Sequence, residues 1–197
     1  GDSANEQKEA VHMDAPASTD YLSGLPSRAR ASGRRSPTSH KGTHVMNVII
    51  KDSPTEVTQC AYEIVRQRLT REKYRVLGLP TGGTPVLLYK ALIAGYDRGE
   101  VDFSEVVSFN LDEYLGLETT HPQSYRYFMQ QNLFQHVNMR PENIHFLSGL
   151  PDDIDEHCAA YERKIEDAGG IALQILGLGR DGHIGFNEPT SSLRSRT

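Results

Sequence analysis

The chain is organised around the apolar run Ile171-Ala172-Leu173-Gln174-Ile175-Leu176, which leads directly into Gly177-Leu178-Gly179-Arg180-Asp181-Gly182-His183-Ile184-Gly185-Phe186-Asn187-Glu188-Pro189. The continuous apolar run predicts a strand that is buried on both faces, and the glycines after it predict a sharp turn. This turn carries Asp181, His183 and Glu188. An imidazole between two carboxylates suits proton transfer near neutral pH, because a carboxylate orients the ring and raises its basicity.

A second interpretation of the same turn is that its polar side chains only satisfy their own backbone, as Asp and Asn often do in loops. The density of the cluster and its position directly after a strand favour chemistry instead. Open parallel sheets bind their ligands at the carboxyl ends of strands. We therefore predict a functional site at this end of the sheet.

Strands and helices alternate along the chain from residue 46 onward. Short apolar runs at 48–50, 76–79, 106–109 and 144–147 predict further strands. Helices are predicted to begin at the capping box Ser53-Pro54-Thr55-Glu56, at Thr84-Pro85, at Pro122 and after Asp153, with the first of them burying Val57, Ala61, Ile64, Val65 and Leu69. The alternation predicts a three-layer α/β fold, in which a mostly parallel sheet is flanked by helices.

Residues 1–45 differ from the rest in composition, being rich in Ser, Ala, Pro and Arg with no sustained apolar period. Such a segment buries too little apolar surface to offset its ordering entropy, so we predict a disordered, low-complexity tail. Its second half has the basic composition of a transit peptide, but its first half carries acidic residues that such signals avoid. The predicted domain covers residues 46–197.

Composition narrows the class of protein. The formal net charge of the 197-residue chain is -5, which argues against a nucleic-acid partner, because phosphates attract a basic face. No apolar run reaches the length of a membrane span. Cys60 and Cys158 form no metal or redox motif, so we expect two buried thiols in a reducing compartment and a soluble, cytoplasmic protein.

Two further loops that follow predicted strands carry unusual residues. The turn Thr81-Gly82-Gly83-Thr84 stands at a helix N-terminus, where free N–H groups and the helix dipole favour an anion such as a phosphate. The same glycines equally suit a simple left-handed turn. Asp112 and Glu113 follow the strand at 106–109. One of these carboxylates facing a substrate can remove a proton from a carbon next to a carbonyl, whereas two solvated loop acids are the alternative.

Several long motifs, in this order, resemble glucosamine-6-phosphate deaminase from about Met46 to the last residue. They are Leu79-Pro80-Thr81-Gly82-Gly83-Thr84-Pro85, Phe109-Asn110-Leu111-Asp112-Glu113-Tyr114, His121-Pro122-Gln123-Ser124-Tyr125, Asp181-Gly182-His183-Ile184-Gly185-Phe186-Asn187-Glu188-Pro189, and the terminal Ser191-Ser192-Leu193 and Ser195-Arg196-Thr197. The related 6-phosphogluconolactonases share the Asp-Gly-His segment, but differ where this chain has Tyr114 and Phe186-Asn187-Glu188-Pro189.

The resemblance implies a Rossmann-like fold of the sugar-phosphate isomerase type and conversion of glucosamine 6-phosphate and water to fructose 6-phosphate and ammonium, without metal or organic cofactor. It implies that Asp112 takes the C2 proton and that His183 opens the sugar ring with the help of Asp181 and Glu188. Residues 81–84 would hold the sugar phosphate. The expected partner is this small molecule, with no nucleic acid and no membrane, and a homo-oligomer is usual in the family.

The family's domain continues beyond the position of Thr197, so we expect the fold to be incomplete at the C-terminus. The missing part of the family's domain supplies further strands and an Arg and a Lys for the phosphate. The alternative function is therefore an inactive, truncated form that binds a sugar phosphate or a full-length partner. A third interpretation is a related isomerase or lactonase.

Overall fold

The computed structural model describes residues 10–12, 47–71, 75–185 and 187–191. In chain order, the strands and α-helices are β1 (Ala10–His12), α1 (Pro54–Thr70), β2 (Val76–Gly78), α2 (Val86–Asp97), β3 (Val107–Phe109), β4 (Asp112–Tyr114), α3 (Tyr125–Asn132), β5 (Ile144–His145), α4 (Ile154–Asp167) and β6 (Leu173–Gln174). Two short 3₁₀ turns, Phe134–His136 and Pro141–Asn143, lie between α3 and β5. No helix within these ranges is long and apolar enough to cross a membrane.

Four strands form a parallel sheet in the order β5-β3-β2-β6. Val76 and Leu77 are neighbours on β2, so their side chains point to opposite faces of the sheet. Leu77 packs into the larger apolar core with α1, α2 and α3, and Val76 packs into a smaller core with Tyr161 and Ile165 of α4. The predicted three-layer α/β fold with a parallel sheet is confirmed.

The helix starts follow from local capping chemistry. The Glu56 backbone N–H donates to Ser53 Oγ at 3.3 Å, as the predicted capping box requires, and the Asp52 N–H donates to Glu56 Oε2 at 3.0 Å. Ser124 and Asp153 cap α3 and α4 in the same way. Helix α2 differs, because it begins at Val86 without a side-chain cap.

Two of the predicted strands are wrong in detail. Residues 48–50 form no strand, and Ile50 is 85% exposed, because no neighbouring strand in the described part of the chain pairs with them. In the run 171–176 only Leu173–Gln174 are strand residues, and their side chains are half-buried. Since β6 lies at the edge of the described sheet, the prediction of a strand buried on both faces is also wrong.

Helical details differ as well. Helix α3 begins at Tyr125 rather than at Pro122, because the cap is Ser124. On α1 the predicted Val57 and Ile64 are exposed, whereas Tyr62 is buried against α2. The packing is close there, since a β-carbon on Gly95 would lie 2.3 Å from the Tyr62 hydroxyl.

The remaining predictions concern the cysteines and the N-terminal segment. Cys60 and Cys158 are free thiols but are half-buried rather than buried. The predicted disordered tail, residues 1–45, lies outside the described residues except for β1 (Ala10–His12), which pairs antiparallel with β4. Those three residues were predicted to be disordered, and backbone pairing to the β4 edge places them in a strand.

Candidate active site

One cleft of about 570 Å³ lies at the carboxyl ends of the parallel strands. Three loops line it: residues 79–85 after β2, residues 111–112 after β3, and the loop after β6. The loop after β6 contributes residues 175–180, 183, 185 and 188. Parallel strands bring these loops to one edge although about 100 residues of sequence separate the first from the last. Most of the predicted site residues line this cleft, namely Thr81, Gly82, Gly83, Thr84, Asp112, His183 and Glu188. Asp181 contacts the His183 ring.

Asp112 is the half-buried carboxyl group of the cleft. Burial, followed by the negative charge of Glu113, raises the pKa of Asp112 from 3.8 to about 7. A carboxylate with such a pKa accepts a proton far more readily than an exposed aspartate, and it is ionised for a large fraction of the time at neutral pH. The environment of Asp112 is therefore that of a general base.

The neighbouring Glu113 faces the opposite way and is 2% exposed. Its carboxylate accepts hydrogen bonds from the backbone N–H groups of Tyr114, Tyr125 and Arg126 at 2.9, 2.8 and 3.0 Å. A carboxylate at a helix N-terminus is stabilised by the free N–H groups there. Glu113 therefore attaches α3 to β4, and of the two adjacent acids Asp112 alone lines the cleft.

His183 is held by Asp181 in the loop after β6. The ring Nδ1 lies 2.7 Å from Asp181 Oδ1, and the His183 backbone N–H donates to the same oxygen at 3.3 Å. These contacts, the backbone hydrogen bond first, lower the pKa of Asp181. With Nδ1 engaged in this way, and with no hydrogen bond to Nε2 among the residues that the structure describes, Nε2 is the ring nitrogen left for proton transfer.

Glu188 also lines the cleft, and it is exposed. Within the described ranges no hydrogen bond joins its carboxylate to the His183 ring. The loop that carries both residues is held by short backbone bonds, among them Ile184 N–H to Asn187 O at 3.1 Å and Gly179 N–H to His183 O at 2.8 Å. The role predicted for Glu188 as a second support of the imidazole stays a prediction.

The turn at residues 81–84 leads into α2 along the cleft wall. Gly82 has a φ of 98°, which only glycine adopts without strain. Because α2 has no side-chain cap, the N–H groups of its first turn keep the partial positive charge that attracts an anion. The role predicted for residues 81–84 in holding a phosphate stays a prediction.

Asn110 joins the first two loops. It is fully buried, and its side-chain Nδ2 donates to the Leu79 carbonyl at 2.7 Å. Tyr161 of α4 lies beneath the same loop, with its hydroxyl 2.9 Å from the carbonyl oxygens of Asn110 and His145. These buried bonds set the distance between turn 81–84 and Asp112.

Sequence reasoning did not single out three side chains of the cleft: Tyr125, Gln174 and Arg180. Tyr125 appears in the sequence analysis only at the end of a family motif, and its place in the cleft depends on the attachment of α3 to Glu113. Gln174 is a polar residue within an apolar run, which is a usable signal for an unusual environment. In the part of the chain that the structure describes, no group of three or more His, Cys, Asp or Glu side chains is placed to hold a metal ion.

Comparison with known proteins adds independent evidence. The family model for glucosamine-6-phosphate isomerases/6-phosphogluconolactonase matches residues 51–186. A glucosamine-6-phosphate deaminase of Thermoanaerobacter sp. (strain X514) is 53% identical over 152 residues, which are 77% of this chain and 60% of that protein. One from Hahella chejuensis is 57% identical over 152 residues, covering 77% of this chain and 58% of that protein.

A solved structure of a monomeric glucosamine-6-phosphate deaminase is 37% identical, with a TM-score of 0.72 over 76% of this chain and 62% of the other. A 6-phosphogluconolactonase from Thermotoga maritima shares the fold at 24% identity, with a TM-score of 0.57 over 70% of this chain and 61% of the other. The chain spans about 60% of the length of the curated relatives it matches. By the extent of the matched residues, this chain belongs to the glucosamine-6-phosphate isomerase/6-phosphogluconolactonase family.

Proposed function

We propose that this chain carries catalytic residues of a glucosamine-6-phosphate deaminase. Such an enzyme converts glucosamine 6-phosphate and water to fructose 6-phosphate and ammonium. The observation that carries the proposal is the single cleft shared by Asp112, by the Asp181–His183 pair and by turn 81–84. Relatives at 53% and 57% identity carry that name. They support the deaminase over the lactonase of the same family.

His183 acts first in this proposal. The cyclic amino sugar opens when a proton leaves the C1 hydroxyl and another reaches the ring oxygen. The free Nε2 of the His183 ring is the group that shuttles this proton, and Asp181 holds the ring through Nδ1. Glu188, which lines the same cleft, is proposed to assist in setting the charge of the imidazole.

Asp112 acts second, on the open-chain aldehyde. Its carboxylate takes the proton from C2, and the electron pair forms the C1–C2 double bond of an enolate while C2 keeps its amino group. Return of the proton to C1, with transfer of one proton from the nitrogen to O1, gives a C2 imine. Water then adds to this imine and expels ammonia, which leaves as ammonium. A pKa near 7 suits Asp112 to both taking and returning the proton.

Turn 81–84 holds the phosphate in this proposal. The uncapped N-terminus of α2 supplies N–H groups, and the glycines allow an anion to approach the backbone closely. Arg180 is exposed and also lines the cleft, where it adds positive charge. Anion binding at the turn orients the sugar with C2 toward Asp112.

The experiment mixes the purified chain with glucosamine 6-phosphate and measures both ammonium and fructose 6-phosphate. Equimolar products, absent with Asp112→Asn, support the proposal. Binding of the substrate by calorimetry with no turnover at high protein concentration would establish the inactive form that binds a sugar phosphate. Turnover of ribose 5-phosphate or 6-phosphogluconolactone instead would assign a sibling reaction.

The homo-oligomer predicted from the resemblance is tested separately, by size-exclusion chromatography with light scattering. The solved relative with a TM-score of 0.72 is named as monomeric. A single peak at the mass of one chain would rule out the predicted homo-oligomer.

A further inference from the structure

We propose that Tyr125 is a substrate-contacting residue, whose hydroxyl hydrogen-bonds the hydroxyl groups on C3 and C4 of the open-chain amino sugar and so contributes to substrate selection. The inference rests on the proposed function, because it takes the position of the sugar from Asp112 and turn 81–84. It adds a contact to the middle of the substrate, which neither Asp112 nor the anion turn touches.

The position of the Tyr125 hydroxyl carries the argument. Tyr125 lines the cleft together with Thr81 and Asp112. The Tyr125 hydroxyl donates to the Tyr114 hydroxyl at 3.1 Å. The Tyr125 side chain therefore shares the cleft with both the proposed base and the proposed anion turn.

The geometry of the substrate then determines what Tyr125 faces. In an open-chain hexose 6-phosphate, C3, C4 and C5 lie between the carbon that loses its proton and the phosphate. The oxygen on C5 is the former ring oxygen, which the proposal assigns to His183. A side chain that lines the same cleft as Asp112 and Thr81 is therefore left with the hydroxyl groups on C3 and C4.

The Tyr125 side chain is well suited to read hydroxyl groups. Burial, the Tyr114 hydroxyl and the charge of Asp112 together raise its pKa, so the phenol stays neutral. Its proton is donated to the Tyr114 hydroxyl, and its oxygen can accept hydrogen bonds from the sugar hydroxyl groups. Its ring lies 4.6 Å from that of Tyr114 at an interplanar angle of 42°, and its backbone N–H is bonded to Glu113 at 2.8 Å. A group held at both ends discriminates better than a mobile one.

The test uses ligands that cannot react. 2-Amino-2-deoxyglucitol 6-phosphate lacks the carbonyl group, so it mimics the open chain without turnover, and its 3-deoxy and 4-deoxy analogues each lack one hydroxyl. Calorimetry with the unmodified chain is expected to show about tenfold weaker binding of at least one deoxy analogue. Equal binding of all three ligands would overturn the inference without any variant.

Tyr125→Phe then removes only the hydroxyl. We expect it to weaken binding of the parent ligand about tenfold and to leave the discriminated deoxy analogue unaffected, so that the preference disappears. Tyr127→Phe, on the same helix and outside the cleft lining, is the matched control and keeps the preference. A merely structural role would weaken all three ligands equally, and that result contradicts the proposal.

The two proposals fail in different ways. If the unmodified chain shows the Tyr125-dependent preference but no ammonium release, the contact stands and the proposed reaction fails. If the chain releases ammonium and Tyr125→Phe retains the preference, the contact fails and the reaction stands. Absence of binding to every ligand by the unmodified chain would overturn both.

Discussion

A β-carbon on Gly179 would lie 2.2 Å from Cε1 and 2.3 Å from Nδ1 of the His183 ring. The same β-carbon would lie 2.6 Å from Asp181 Oδ1. These distances are far below van der Waals contact, so a side chain at Gly179 would force the His183 ring and the Asp181 carboxylate to move from the positions they have here. The absence of a side chain at Gly179 therefore leaves the space that the Asp181–His183 pair occupies.

Replacing Gly179 by alanine is expected to separate the His183 ring from Asp181 and to lower kcat by about 10- to 1,000-fold, because a displaced acid–base group loses most of its effect. The melting temperature should change little, since the pair is exposed. The measurement combines the deamination rate with the NMR chemical shifts of the His183 ring nitrogens, which report the contact of Nδ1 with Asp181.

Gly177→Ala is the matched control for the ring position, because the added methyl group has no atom within 4 Å. Its His183 ring shifts are expected to coincide with those of the unmodified chain. A Gly179→Ala variant with the same ring shifts and the same rate would show that the ring tolerates the methyl group.

The pKa of Asp112 makes a prediction about stability. Because its folded-state pKa of about 7 is above the ordinary value of 3.8, the folded state binds the proton more tightly than the unfolded state does. The associated stability is complete below about pH 4 and is lost as pH rises through 7. Asp112→Asn removes the ionisable group, so the variant does not lose stability in this way as pH rises.

We therefore expect Asp112→Asn to be more stable than the unmodified chain at pH 8, by up to about 4 kcal/mol and by about half of that once solvent screening of a half-buried group is included. The difference should vanish near pH 4. Urea unfolding at the two pH values measures it. Asp152→Asn, at an exposed loop position, is the control, and an equal gain there would contradict the assignment to Asp112.

The same ionisation predicts the pH dependence of the reaction. Since the proposed base acts as a carboxylate, the rate of exchange of the C2 proton with solvent should rise with pH to a plateau, with a midpoint near 7. NMR in deuterated water measures this exchange. A midpoint near 4, typical of an exposed aspartate, would mean that another environment or another group sets the rate.

Glu113 is expected to affect both stability and this midpoint. Glu113→Gln replaces one acceptor oxygen by an amide NH2 group, which cannot accept from a backbone N–H, so we expect a loss of about 2–3 kcal/mol in the free energy of unfolding. Removal of the Glu113 charge also lowers the pKa of Asp112, so the midpoint moves to lower pH. Glu118→Gln, which is exposed, should change neither, and an unchanged midpoint in Glu113→Gln would rule out the electrostatic coupling.

Much of the fold could be predicted because its signals are local. The capping box at Ser53 sets the start of α1 within one turn of backbone, and the apolar period along residues 154–165 defines the buried side of α4. The alternation of these elements with apolar runs is enough to require a parallel sheet. The prediction of a strand at residues 48–50 was wrong, since an apolar triplet forms a strand only when a neighbouring strand supplies the hydrogen bonds.

The candidate site was likewise predictable only in part. The sequence alone was enough to predict candidate site residues, namely Asp112, Asp181, His183, Glu188 and turn 81–84, because their types and their positions after strands can be recognised along the chain. Only the tertiary structure decided that Asp112 rather than Glu113 faces the cleft, and that Tyr125 joins it. That choice depends on the N-terminus of α3 docking on the Glu113 carboxylate, a contact across 12 residues of sequence that depends on burial and on free backbone N–H groups rather than on any local pattern.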